Sequence, residues 1–366
     1  MGTSEATTPP DGRTPGESEL VGARALREWL TGERGDYSRV FLLDSGDAAE
    51  AVERVAGPDD VILVPEGTVP SAGRARTIGY SGALEEVGDE LFLGERGVEV
   101  QDYIAAAFVH IIGPTAVRFF DSSSWQAFLD DADLARRTGI FPAALLDPRV
   151  ILASRHAIAA PEELDTPNAV RVHGDGVVRI GIQGAVVGSI GDLPAVLEKA
   201  LPRAAALGGI ARGDDIPGDD DLGDDIAGAL AGREWIARYL DAGELMKMLR
   251  LANGEAKIDG FGWSAHGDDV ADAEPESGDP FLLETADGFL LADIRTLRRQ
   301  LLPPLTAYVV AATQTSRTFD QAAGRVARAF DVPAAHARDL CVDAVSALGI
   351  HLGRRVDGPR ARAATS

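Results

Sequence analysis

Cysteine is all but missing. Cys341 is the single thiol in 366 residues, so neither an intrachain disulfide nor a cysteine-rich metal site can form. Aromatic residues are scarce at 6%, and no apolar run is long enough to span a membrane. Basic charge is in deficit: 35 Lys+Arg stand against 58 Asp+Glu, a formal net of −23, the wrong sign for gripping a phosphate backbone. Residues 1–19 are rich in Pro, Gly, Thr and Glu and carry no apolar core, so they read as a disordered tail and not as a signal peptide. The expectation is a soluble, cytoplasmic protein. A hydrophobic fraction of 45% is ordinary, and the length suffices for two or three domains.

Catalytic signatures are equally thin. The six histidines (His110, His156, His173, His266, His336, His351) form no H-E-x-x-H and no pair at helical ligand spacing. Gly79-Tyr-Ser-Gly-Ala83 holds a serine between glycines but is not G-x-S-x-G. Carboxylates are so numerous that no acid–base pair stands out. No Walker or dinucleotide glycine fingerprint occurs. Cys341 lies in an apolar helical stripe, which makes it a core residue before a nucleophile. No catalytic residue, cofactor or metal is assigned.

What is present first is an α/β pattern over residues 20–160. Arg39-Val-Phe-Leu-Leu-Asp44 and Val61-Ile-Leu-Val64 read as buried strands, and Val117-Arg-Phe-Phe-Asp121 runs into a helix holding Trp125 and Phe128. Ser45-Gly46 and residues 122–124 sit where helices begin after strands. Such places can bind anions, though plain N-capping is the simpler role. Residues 161–266 change character. Ala169–His173 and Val177–Ile182 flank a Gly-Asp-Gly turn, and 185–190 extend this hairpin to a meander. A helix is expected over 193–207. The acidic run at 213–225 lacks EF-hand ligand alternation and reads as a solvated linker, followed by helical segments around 226–251. A second linker covers 267–279.

The strongest pattern is in residues 280–357. Phe281-Leu-Leu-Glu284, a Thr285-Ala-Asp287-Gly288 turn and Phe289-Leu-Leu-Ala-Asp293 make a hairpin, and 295–301 forms a third strand beside it. Three helices follow. The first spans about 303–313. The second starts at the capping box Thr318-Phe-Asp-Gln321 and sets Phe319, Ala322, Val326 and Phe330 on one face, so it is amphipathic. The third follows Pro333, repeats Ala337, Leu340, Cys341, Ala344, Val345 and Leu348, and stops at Gly349. The fold class expected is therefore an α/β N-terminal region plus α+β, ending in a winged-helix-like module of a three-stranded antiparallel sheet and three helices. Residues 358–366 are a disordered tail.

This module resembles the RiPP recognition element, the PqqD-like domain that captures leader peptides of ribosomally made, modified peptides. The likeness rests on the hairpin 281–293, the link Thr315-Ser-Arg-Thr318, the closing Ala327-Arg-Ala-Phe330, and the last helix running into Gly349-Ile350; it covers about a fifth of the chain. The Pro303-Pro304 pair departs from the pattern and would shorten the first helix. The longer region before it, including Thr166-Pro-Asn-Ala-Val-Arg-Val-His-Gly-Asp-Gly176, is similar to the large recognition proteins found with daptide-type clusters.

That resemblance implies a non-catalytic protein that binds a precursor leader peptide. It would present the peptide to an oxidative decarboxylase, aminotransferase or methyltransferase. An open sheet edge can take up an extended peptide by strand addition. Leu297 and Leu301 on that edge, with Val342 and Val345 on the third helix, would meet apolar leader residues. Arg298, Arg299 and Arg338 would meet acidic ones. Two other classes remain: a winged-helix DNA-binding regulator, and an enzyme using the α/β region. Asp339 and Asp343 on the would-be recognition helix oppose the first, so neither nucleic acid nor membrane is expected as a partner.

Overall fold

The computed structural model describes residues 15–69, 73–210, 226, 228–230, 232–266 and 272–354. The acidic run 213–225, residues 1–14 and 267–271, and the tail 358–366 lie outside them. Residues 15–19, expected in a disordered tail, instead open the first helix, α1 (Pro15–Thr31). Proline suits a first turn, where its missing N–H has no partner to lose. Further along, Ala25, Leu26, Trp29 and Leu30 form the buried stripe that holds the helix down.

Contacts divide the chain into two units, residues 1–125 with 149–227, and residues 126–148 with 228–366. In the first unit the chain makes β1 (Arg39–Leu43), α2 (Ala49–Glu53), β2 (Asp60–Pro65), β3 (Arg76–Gly82), β4 (Glu90–Leu93), β5 (Arg96–Asp102) and β6 (Thr115–Arg118). The helix α3 (Ser122–Thr138) crosses into the second unit and is followed there by α4 (Ala143–Leu146). The first unit resumes with β7 (Val150–Leu152), α5 (Arg155–Ala159), β8 (Leu164–Asp165), β9 (Ala169–Val172), β10 (Val177–Ile180), β11 (Val186–Ser189), α6 (Leu193–Glu198) and β12 (Leu201–Pro202).

Ten of these strands form one mixed sheet in the order β11-β10-β9-β1-β2-β3-β4-β5-β6-β7, while β8 and β12 pair separately. The β9–β11 meander, expected in a region of its own, joins the α/β layer because β9 pairs parallel with β1, Val40 to Leu43 against Ala169 to Val172. Strands β1 and β2 are buried on both faces, which explains their unbroken apolar runs. Val40, Leu42, Val61 and Leu63 pack with Leu26, Trp29 and Leu30 of α1. The alternate residues Phe41, Leu43, Ile62 and Val64 pack with Val52 of α2 and Leu193, Val196 and Leu197 of α6. The helix expected over 193–207 ends at Glu198, since Pro202 cannot continue it; residues 203–207 form a 3-10 turn.

The second unit contains α7 (Ile236–Leu249), β13 (Ala256–Asp259), β14 (Gly262–Trp263), β15 (Phe281–Thr285), β16 (Gly288–Asp293), β17 (Arg298–Leu302), α8 (Pro304–Gln314), α9 (Phe319–Phe330) and α10 (Ala334–Leu348). Its sheet has five strands, in the order β14-β13-β15-β16-β17, where three were expected. The additions pair on the far side of the hairpin, Ala256 and Lys257 against Thr285 and Glu284. The stretch expected as a linker is also structured where described. Ala273 and Asp279 are buried, and Glu274 exchanges backbone hydrogen bonds with Arg354 at 2.8 and 3.0 Å. Linker-like composition gave way here to specific pairing.

Candidate peptide-binding edge

The hairpin β15–β16 closes on a two-residue loop, with Gly288 at φ 115° and the Thr285 hydroxyl donating to the Gly288 carbonyl at 3.0 Å. The next turn is organised by Asp293. Its carboxylate accepts the Arg295 amide at 2.9 Å and the Thr296 hydroxyl at 2.7 Å. These bonds end β16 and delay β17, so the strand expected over 295–301 runs over Arg298–Leu302 instead. Leu297 becomes a turn residue in the left-handed region, φ 57°. A leucine rarely sits there.

Register fixes the faces of β17. Leu302 pairs with Phe289 and joins Leu282 and Leu291 in the core beneath α8, α9 and α10. Period-two alternation places Gln300 and Arg298 on that side, with Arg298 opposite Asp293. Leu301 and Arg299 take the reverse face, in line with Leu290 and Ala292. Residues 298–301 are all exposed, Leu301 at 65% and Leu297 at 66%. Among the described residues β17 is the last strand of its sheet, so its outer backbone groups have no neighbouring strand.

The helical half of the expected groove is less uniform. Thr318 caps α9 by accepting the Gln321 amide at 3.3 Å, and Gly349 ends α10 at φ 67°. Val342 is exposed on α10, while Val345 is half-buried against the core. Arg338 is already answered: its guanidinium pairs with Asp320 and lies 5.8 Å from the Phe319 ring centre. Both β17 and α10 pack on α8. The structure thus brings Leu297, Arg298, Arg299 and Leu301 together at one edge. It sets Val342 on α10, and it commits Arg338 and Val345 elsewhere.

A buried polar frame holds this module, and sequence reasoning did not foresee it. Arg325 donates to the Thr315 carbonyl at 2.9 Å, the Ser316 hydroxyl at 2.8 Å and Asp272 at 2.6 Å. The Thr315 hydroxyl donates to the Ala311 carbonyl at 2.7 Å and lies 3.0 Å from His266 Nε2. With that hydroxyl proton spent, Nε2 carries the proton and donates. Burial and the Arg325 charge pull His266 down to about 4. Beneath the sheet's other face, buried Arg238 stacks on the Phe281 ring at 4.1 Å and donates to the carbonyls of Glu276 and Asp279 at 2.8 and 2.9 Å. Burial pushes neighbouring Asp259 up to about 6, against the lowering effect of its hydrogen bonds from the Ala265 amide and the Ser264 side chain. A charged residue inside a short apolar run, as Arg238 is between Ile236, Ala237, Tyr239 and Leu240, was the available clue.

In the first unit a second polar cluster forms where β1 and β9 end. Asp44 accepts Arg171 Nε at 3.0 Å and meets His173 Nδ1 at 2.9 Å; Glu85 accepts Arg171 Nη2 at 2.6 Å. Asp44, Glu85 and His173 lie close enough to share a cation. The Arg171 guanidinium already occupies that electrostatic role, bonded to both carboxylates. His173 is held below its usual range, first by burial and then by Arg171. Burial pushes Tyr80 up to about 12, and its hydroxyl donates to the Leu43 carbonyl at 2.8 Å. The arrangement is an ion-pair network in which Arg171 bridges two carboxylates. At Ser45, the hydroxyl accepts the Asp47 amide at 3.2 Å, and at the start of α3 Asp121 accepts the Ser124 amide at 2.8 Å, both local capping. No protein-family model, curated protein or solved structure matches this chain.

Proposed function

We propose that residues 280–354 form a winged-helix-like recognition module that captures the leader of a ribosomally made precursor peptide. The leader adds as a strand to β17, and the chain presents the attached peptide to modifying enzymes without doing chemistry itself. The observation that carries this reading is the outer edge of β17, which has no neighbouring strand among the described residues and where exposed Leu297 and Leu301 flank Arg298 and Arg299. Backbone pairing supplies affinity in such a mode, and side chains on alternate faces supply selection. An acidic and apolar leader fits these four side chains. Tethering by the leader raises the effective concentration of the core peptide at an enzyme. In a daptide-type pathway the partners are an oxidative decarboxylase, an aminotransferase and a methyltransferase.

Duplex DNA is the poorer fit. The exposed side of α10 carries Asp339 and Asp343, and Arg338 is spent on Asp320. The test is fluorescence anisotropy of the full chain with the leader peptides encoded beside its gene, against a scrambled peptide and a DNA duplex. Leader binding near a Kd of about 1 µM, weakened about tenfold by Leu301→Asp or Arg298→Glu, is expected. Absence of leader binding overturns the reading, and salt-sensitive duplex binding replaces it with the regulator.

A further inference from the structure

The carboxyl ends of the parallel strands in the first unit gather more positive charge than the network around Arg171 uses. Strands β9, β1, β2, β3, β5 and β6 run in one direction. The Phe119 amide, just past β6, donates to Gln183 Oε1, just past β10, at 2.9 Å. Those two strands lie second from opposite ends of the ten-stranded sheet, so the sheet curls until its ends approach. The curl brings Arg118, the last residue of β6, within electrostatic reach of Arg171 near the end of β9. Arg179 of β10 stands directly opposite Arg171 across the ladder, on the same face. Three guanidiniums therefore meet two carboxylates, Asp44 and Glu85, and Arg171 takes both.

Arg118 and Arg179 have no acid partner among the described residues, in a chain of 58 Asp+Glu against 35 Lys+Arg. Other largely buried arginines, Arg136, Arg155, Arg203 and Arg325, each hold a carboxylate. Arg118 Nη1 reaches only the carbonyls of Leu84 and Glu85, both at 3.5 Å, and its Nε is buried without a partner. Its guanidinium lies over the Phe120 ring at 4.1 Å. Asp102, the other acid near enough to act on it, is turned to the amides of Ile104 and Ala105. Arg179 makes one contact, from Nη1 to the Gly184 carbonyl, also at 3.5 Å. Burial and the charge of Arg171 pull Arg118 down to about 10. Next to it Gln183 is buried with its Nε2 donor unpaired. Like charges set opposite one another and buried donors left open both cost stability, and one bound oxyanion answers both.

We infer that Arg118 and Arg179 bind a small-molecule oxyanion, a carboxylate or a phosphate group, at the carboxyl ends of these strands. In open α/β sheets ligands sit outside that end, and a guanidinium presents a planar fork that matches either group. Glu85, whose side chain is 56% exposed on the loop after β3, marks the solvent side of the site. The proposal does not depend on peptide capture, which uses residues of the second unit.

The experiment is isothermal titration calorimetry of the full chain with sodium phosphate and, separately, sodium citrate, at ionic strength matched with chloride. A Kd of about 1 mM for at least one of the two is expected, weakened about tenfold or more in Arg118→Gln and in Arg179→Gln. Arg24→Gln, at an exposed arginine of α1, should leave the affinity unchanged. Binding of phosphate alone identifies a phosphate ligand, and binding of citrate alone a carboxylate. Should Arg118→Gln not fold, Arg118→Lys keeps the charge but loses the fork, and reads the same loss. Binding of neither anion overturns the proposal, as does binding that the Arg118 or the Arg179 variant leaves unchanged.

Discussion

Asp279 holds His351 at two points: one carboxylate oxygen accepts the His351 amide at 3.0 Å, and the other meets its Nδ1 at 2.6 Å. The carboxylate is fully buried and also accepts Gln314 Nε2 at 3.2 Å. One side chain therefore ties the entrance of β15 to the end of α8 and to the segment after α10. Asp279→Ala leaves buried donors without an acceptor and should cost about 1–3 kcal/mol. Urea unfolding reads this as a lower midpoint at unchanged slope. His351→Ala should cost less, because its imidazole is largely exposed and the backbone amide stays in place. Equal losses in the two variants would contradict the clamp.

Two titrating groups in the same unit oppose each other. Asp259, pushed up to about 6, holds its proton more tightly folded than unfolded. Its contribution is full below about pH 4 and is lost as pH rises through about 6. His266, pulled down to about 4, behaves in the opposite sense. Its contribution is present above about pH 6.5 and is lost as pH falls toward about 4. Between these limits the two slopes offset. Relative to the parent chain, Asp259→Asn should gain stability as pH rises from 4 to 6, by on the order of 2–3 kcal/mol. His266→Gln should gain it as pH falls across the same range. Denaturant midpoints measured at several pH values test both, and difference curves of the same sign would refute the opposition.

Much of the second unit was legible because its signals are local. The Asp287-Gly288 turn, the Thr318 cap, the apolar stripe through Cys341 and the left-handed Gly349 each depend on neighbours within a few residues. Long-range pairing was not legible. Strands β3, β4 and β5 mix Gly, Glu and Arg among their apolar residues, and become strands by pairing in sequence from β2. Nothing near Ala169–Val172 announces that it will lie parallel to β1. The edge of the candidate site was visible as a pattern, but its register was not. The Asx contacts of Asp293 moved the strand and put Leu297 in a turn.

Arg171 shows how a cation from the chain itself can stand where an ion could. Its neighbours are Asp44, Glu85 and, through Asp44, His173. Arg171→Ala removes the guanidinium that bridges the two carboxylates and should destabilise the chain by about 1–3 kcal/mol. The same variant gathers the donors a divalent ion needs: two carboxylates and an imidazole. Added Zn²⁺ should therefore raise the melting temperature of Arg171→Ala while leaving that of the parent nearly unchanged. Equal responses of the two proteins to zinc would show that Arg171 does not occupy the cation position.

Substitution at Leu297 tests stability and the proposed recognition separately. At φ 57° a leucine carries a backbone penalty of about 1–2 kcal/mol, and its side chain is 66% exposed, so folding gains little in return. Strain kept at an exposed apolar residue beside an open strand is what a contact residue would show. Asparagine tolerates the left-handed region, so Leu297→Asn should stabilise the chain by about 0.5–1 kcal/mol. The same change removes an apolar side chain from the proposed peptide edge, and leader affinity should fall about tenfold. Opposite signs in thermal unfolding and in peptide anisotropy are the expected outcome. A loss in both would make Leu297 a structural residue of the turn, and a gain in stability with unchanged affinity would remove it from the binding edge.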